Sequence, residues 1–274
     1  MKFLHGAIAS LGLVSVLEFG SPDRVKAVPL VQVSQATNQP DLALLAKVIQ
    51  RFLNSASYET RSVVQVNGVT GSTTVQTAVN VKTIAQHPHR FRSEITFANP
   101  DQPSQSLTTL VVSNGQQVWF YRPDLKQYQT MTYQEFEQFD DGYWLGFSTM
   151  IYGQVPPDVR QAISQSATTS TEVVQAVGLE LKELQGSTQT VEGRPLYVYR
   201  YKDAKEGFLF SAFVTPDTAN IERMQMTGKS DGTDILVAEQ ILSRTANPAI
   251  APSTFTFTPP PGTRQVKALP IGPL

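Results

Sequence analysis

Residues 113–130, SNGQQVWFYRPDLKQYQT, read as the middle of an antiparallel meander. Asn114-Gly115 is a favoured two-residue turn, and it separates a β-rich run at 107–113 from another at 117–121. Pro123-Asp124 then turns the chain into a third run, 128–133. Far downstream, residues 254–262, TFTFTPPPG, alternate Phe255 and Phe257 with threonine. That is the period of a strand, and the prolines that follow have no N–H with which to continue it.

The chain on either side fits the same scheme. Asp41 is a credible N-cap, and Leu42, Leu45, Val48, Ile49, Phe52 and Leu53 recur at helical spacing, so one amphipathic helix opens the domain. Its apolar face has to be buried, and the sequence offers a sheet for the purpose. Strands are expected at 58–66, 73–85, 90–97, 107–113, 117–121 and 128–133, joined by short turn-rich links. Helical spacing replaces alternation at 133–139, 142–152 and 156–166, with Pro156 and Pro157 placed to start the last segment. Strands resume at 178–184, 194–201, 207–215, 220–227, 235–242 and 255–258. No internal repeat and no break in composition marks a second domain.

Both quoted segments resemble the periplasmic lipoprotein carrier superfamily of LolA and its outer-membrane receptor relative LolB. In that superfamily a turn, an aromatic Trp-Phe-Tyr-x-Pro strand and a late Phe-x-Phe-x-Pro-Pro-x-Gly strand recur in this order. The resemblance implies a mainly β (α+β) fold: an incompletely closed antiparallel barrel of about 11–12 strands. Its concave face would be covered by the N-terminal helix and by a helical insert at about 133–166. The domain would span 41–262, with a C-terminal tail at 263–274.

The resemblance also implies a cargo of lipid acyl chains or lipoproteins, an inner-membrane donor and an outer-membrane acceptor. The candidate cavity residues are Trp119, Phe120, Tyr121, Phe208, Phe210, Phe213, Met224 and Met226, with Trp144, Leu145, Phe147, Met150 and Ile151 from the lid. Alternation lets only one of the sets Trp119/Tyr121 and Val118/Phe120 face inward, and only one of Phe208/Phe210 and Leu209/Ser211. Carriers of this kind use an arginine before a proline to latch the lid by hydrogen bonds. Here His87 stands at that position, before Pro88, and a ring with two nitrogens replaces a fork of five donors. Arg90 and Arg92 are the nearby residues to which the latch would move.

Composition narrows the function. The formal charge is −1 and no Lys/Arg cluster exceeds a pair, so the chain lacks the basic footprint of a nucleic-acid or anionic-membrane binder. A charged fraction of 16%, with abundant Thr, Ser and Gln, suits a sheet with one wet face. Cysteine is absent, which excludes disulfides, thiol catalysis, Cys-ligated zinc and a lipidated N-terminal cysteine. Of the two relatives the soluble carrier therefore fits better, and a monomer is expected. Residues 1–27 read as an export signal, with Lys2 before an apolar stretch and Val25-Lys26-Ala27 as a loose cleavage site. Residues 28–40 read as a linker, and a periplasmic location follows; an uncleaved anchor is the alternative.

No catalytic set is legible and no cofactor is expected. The chain has no Gly-x-Ser-x-Gly elbow, Gly-rich phosphate loop or His-Glu-x-x-His helix. His87 and His89 would share a face if they lay on a strand, yet no carboxylate stands at ligand spacing, so no metal site is assigned. Asp140-Asp141 and Glu135/Glu137 read as a solvated loop and a helix end rather than paired acids. Three readings follow: a lipid carrier, a sensor or adaptor that binds a membrane protein's segment, and an exported hydrolase. The last lacks a convergent acid or histidine pair.

Overall fold

The computed structural model describes residues 39–98, 106–164, 169–203, 207–230 and 232–272. The expected export signal and most of the expected linker lie outside the described residues. Helix α1 (Leu42–Leu53) begins as its sequence directs. The Asp41 side chain accepts the Leu44 N–H at 2.9 Å and so meets one of the donors that a first turn leaves free. Its stripe of Leu45, Val48, Phe52 and Leu53 is buried.

A meander follows: β1 (Ser57–Thr70), β2 (Thr73–Gln86), β3 (Arg90–Phe97), β4 (Leu107–Asn114), β5 (Gln117–Arg122) and β6 (Gln127–Thr132). The helical insert comprises α2 (Tyr133–Phe136), a 3-10 turn (Asp140–Leu145), α3 (Phe147–Gln154), α4 (Pro157–Ser164) and α5 (Ser170–Ala176). The chain then returns as β7 (Leu184–Val191), β8 (Arg194–Lys202), β9 (Leu209–Thr215), β10 (Asn220–Ser230), β11 (Thr233–Ala246) and the short β12 (Arg264–Gln265). These strands form one sheet in the order β12-β6-β5-β4-β3-β2-β1-β11-β10-β9-β8-β7. β1 thus sits in the middle, paired with β2 on one side and β11 on the other, and the sheet ends at β12 and β7 without closing.

One face, here called inner, carries the helices. Strand register aligns Gly186, Tyr199, Ala212, Met224, Glu239, Val64 and Val79 across seven strands on that face. The main core lies between this face and the insert. It includes Tyr58, Val64, Ile95, Phe120, Leu145, Tyr152 and Ile163, each with 1% or less of its surface exposed.

Several expectations are corrected. Residues 178–184 are not a strand: Gly178 adopts a positive φ beyond α5, and a 3-10 turn (Leu181–Glu183) precedes β7. β7 instead follows that segment, because Glu192 and Gly193 both take positive φ and make the two-residue turn that fixes its pairing with β8. The insert also runs ten residues further than the sequence patterning suggested, ending with α5 at Ala176. Thr169 and Glu172 form a capping box at its start, each side chain accepting from the other's backbone N–H.

Residues 255–258 are not a strand either. They turn across the outer face, where the Phe257 ring lies 6.4 Å from Trp119, 5.5 Å from Tyr121 and 6.1 Å from Tyr128. The twelfth strand comes later, and β12 pairs with β6 in parallel. The tail then enters the core. Leu269 N–H donates to the Gln129 side chain at 2.8 Å, and Thr109 Oγ1 donates to Ile271 O at 2.7 Å. The buried Arg122 guanidinium is held by Asp124 at 2.9 and 2.8 Å and donates to Gly272 O at 2.9 Å. Ile271 is fully buried. Ile271→Ala is therefore expected to lower the unfolding free energy by about 2–5 kcal/mol in urea titrations; a change below about 0.5 kcal/mol would show the tail to be peripheral.

Candidate functional site

An apolar cavity of ≈ 410 Å³ lies between the helices and the inner face of β8–β10. Its roof is the stripe of α1, from Leu45 to Leu53, with Phe147, Met150 and Ile151 of α3 and Val159 of α4. Its floor is Tyr199, Tyr201, Phe210, Ala212, Ile221 and Met224. The α1 stripe that roofs it is otherwise buried, so this helix packs into the core around the cavity.

Polar side chains hold it at the ends. At the start of α1, Tyr199 OH donates to Asp41 O at 2.7 Å, and Tyr197 OH accepts Asp41 N–H at 2.9 Å. At its end, where helix carbonyls lose their intrahelical donors, Arg244 donates to Phe52 O at 3.0 Å and Arg160 to Leu53 O at 2.6 Å. Arg160 also donates to Tyr152 O at the end of α3, which joins the two roof helices. Burial pushes both guanidinium pKa values down.

The insert is tied to the sheet by Glu239. This residue is fully buried on β11, and its carboxyl accepts Ser148 N–H at 2.7 Å and Ser148 Oγ–H at 2.6 Å. It thereby meets the free donors at the start of α3, where an acid is also favoured by the helix dipole. Gly146, just before, has φ +84° and ψ 148°, a region that glycine alone enters freely, and a Cβ there would stand 2.5 Å from Glu239 Oε1. Tyr58 OH completes the tie by donating to Ser148 O at 3.3 Å.

The expected site residues divide into three groups. Phe147, Met150, Ile151, Phe210 and Met224 line the cavity. Phe120, Trp144, Leu145, Phe208 and Met226 lie in the core beside it, with Trp144 edge-on to Phe97 and Phe208 against Gly228. Trp119 and Tyr121 occupy the opposite face with Phe257, and Phe213 lies on that face too, among Val191, Leu196 and Val198. Alternation on β5 thus turned Val118 and Phe120 inward.

The latch candidates are also corrected. Arg90 is exposed, and Arg92 lines an outer-face cleft with Lys82, Glu94 and Thr254, so neither reaches the insert. His87 does lie on the insert side, where burial and the Arg160 charge push its pKa down. His87-Pro88-His89 forms the turn between β2 and β3 rather than part of a strand. The residues that fasten the lid were not singled out from the sequence. A signal was present for one: Ile235, Val237, Glu239 and Ile241 alternate, and an acid on the apolar phase of a strand marks a buried polar contact.

Glu135 is accounted for by its capping box with Thr132 on α2. Among the described residues no three His, Asp or Glu side chains gather closely enough to hold a metal ion. Among them, too, no helix is long and apolar enough to cross a membrane.

No protein-family model matches the chain, and no curated protein matches it. Among solved structures it is similar to a DUF1329 family protein from Desulfovibrio piger, at 14% identity over 80% of this chain and 98% of that one, with a TM-score of 0.32. It is also similar to a LolA superfamily protein from Nitrosomonas europaea, at 10% identity over 81% and 99%, TM-score 0.32. A third is the MucA/MucB complex of Pseudomonas aeruginosa, at 10% identity over 79% and 59%, TM-score 0.30. The chain's own topology is a sheet, antiparallel except at β12, that stops short of closure, with an N-terminal helix and a mid-chain insert on one face.

Burial pushes the Glu239 pKa up from its ordinary 4.5, against the opposing effect of the Ser148 and Ser62 hydrogen bonds and of Arg244. The folded state then binds this proton more tightly than the unfolded chain does. The stabilisation is complete below about pH 4.5 and is lost as pH rises through the native value. Glu239→Gln keeps the shape and one acceptor, so it should flatten that slope in chemical denaturation measured across pH; an unchanged slope would assign it to other groups. Gly146→Ala should destabilise by about 1–3 kcal/mol through the backbone alone.

Proposed function

We propose that this chain is an exported, non-catalytic carrier that binds the acyl chains of lipids or lipoproteins in the cavity under α1 and α3. The observation that carries the reading is the cavity itself, ≈ 410 Å³ and lined almost wholly by aliphatic and aromatic side chains. That volume falls within the roughly 300–1,000 Å³ of small-molecule sites. Hydrophobic attraction is non-directional and grows with buried area, so such a site takes a chain without reading its sequence or shape closely. Met150 and Met224 add unbranched, adaptable side chains at roof and floor. The roof is fastened through a few side chains at the helix ends, which suits a lid that opens as a unit. Cargo would pass from an inner-membrane donor to an outer-membrane acceptor.

Among the described residues the outer edge of β7 has no partner strand, which favours a second reading, an adaptor that pairs this edge with an extended segment of a membrane protein. The two readings separate by experiment. Native mass spectrometry on protein purified without detergent should show a bound lipid or acylated peptide at near-unit ratio, and the delipidated protein should take up a fluorescent fatty acid. Ile221→Trp, which fills the floor of the cavity, should weaken that uptake by about tenfold or more with the fold intact by circular dichroism. A clean apo mass together with no uptake would sink the carrier reading and turn attention to the β7 edge.

A further inference from the structure

Two guanidinium groups meet at the end of the cavity where α1 stops. Arg244 lies 3.9 Å over the Phe52 ring and 4.1 Å over Tyr58. Arg160 lies 4.2 Å over Tyr152, and the same ring is 5.9 Å from Arg244. Each already spends donors on a helix carbonyl, and each keeps one idle. Arg160 Nε and Arg244 Nη1 are shut off from solvent and have no hydrogen-bonding partner, and the same holds for Ser55 Oγ and Thr60 Oγ1. Thr60 is 2% exposed and is the cross-strand partner of Arg244, and Ser55 lies just past α1.

This cluster adjoins the cavity. Phe52 and Leu53, whose carbonyls the two arginines hold, both line it, as does Val159 next to Arg160. Among the described residues neither guanidinium lies within ion-pair distance of a carboxylate. Burial pushes the Arg244 pKa down, and the Arg160 charge acts in the same direction against Tyr58, Tyr152 and the Glu239 carboxyl. A desolvated N–H with no acceptor costs about 1–3 kcal/mol, and more in a charged group. Two such donors and two idle hydroxyls are the chemistry of an oxyanion site, and guanidinium suits the planar geometry of that ligand.

We propose that the cavity takes chains ending in an oxyanion, a carboxylate or a phosphate, whose head meets Arg160 and Arg244 while the apolar tail lies between α1 and β8–β10. The proposal rests on the reading of the cavity as an acyl-chain site and adds the head group that it selects.

The test needs no variant to begin with. A fatty acid, an alkyl phosphate and a fatty alcohol of one chain length are titrated into the delipidated full chain at mildly alkaline pH, each displacing the same fluorescent apolar probe. At least one of the two anions should bind about tenfold or more tighter than the alcohol, and the one that does identifies the head. That gap, read as the ratio of anion to alcohol affinity within each folded variant, should close in Arg160→Gln and in Arg244→Gln. If the alcohol binds as tightly as both anions, the head-group site is wrong and the acyl-chain reading stands. If none of the three binds, the acyl-chain reading itself fails. A gap that persists in both folded variants would overturn the assignment to these arginines, and variants that do not fold leave the decision with the three-ligand comparison.

Discussion

Glu239 puts a carboxyl on the apolar inner face of β11, and the placement of the lid follows from how that group is satisfied. An acid taken out of water is strongly unfavourable unless it is hydrogen-bonded, and Ser148 supplies two donors at the first turn of α3. For Ser148 to reach it the chain must pass close over the carboxyl, which only a residue without a Cβ allows, hence Gly146. The start of α3 is therefore fixed relative to the middle of the sheet. From that point Tyr152, one helical turn on, is carried to Tyr58 at 4.5 Å and to Ser55 O at 2.7 Å, and the aromatic node beneath the arginines is assembled.

The cavity persists for a related reason. An amphipathic helix normally settles onto the sheet until its stripe is close-packed. Here α1 is also fastened at both ends, by Tyr197 and Tyr199 at its start and by Arg160 and Arg244 at its finish. Its stripe still packs on Val174, Leu184, Tyr199 and Val214, and the cavity lies beside that contact. The sheet has no closing pair between β12 and β7, so the same region is bounded by helices rather than by a completed barrel wall.

Much of the fold was legible because it is written in local chemistry. Asp41 announces α1, Asn114-Gly115 and Pro123-Asp124 announce the central hairpins, and strict alternation gives most strands to within a residue or two. The misreadings have physical causes. Phe255 and Phe257 alternate as a strand does, yet the prolines after them leave no ladder to join, and the outer aromatic cluster claims Phe257 instead. Leu179 and Leu181 look like strand residues, but they pack into the cluster beneath α1 ahead of β7, Leu181 in a 3-10 turn. The site was less legible. Aromatic richness drew attention to Trp119 and Tyr121, which cover the outside, whereas the floor is made by ordinary residues such as Ala212 and Ile221. Arg160 and Arg244 are eighty-four positions apart and touch one end of the same helix, a relation that no local pattern encodes.

The first strand lies at the centre of the sheet, and Ile271 fills the core beneath β4. Vectorial synthesis therefore delivers β1 to β6 long before β11, the neighbour that β1 requires, and Ile271 follows every described strand of the sheet. Loops of nearly two hundred residues must close, which places folding at the slow end for a domain of this size. A chain so wired keeps one side of its central strand unpaired until β11 arrives, so the two halves of the sheet join late, through the β1–β11 ladder.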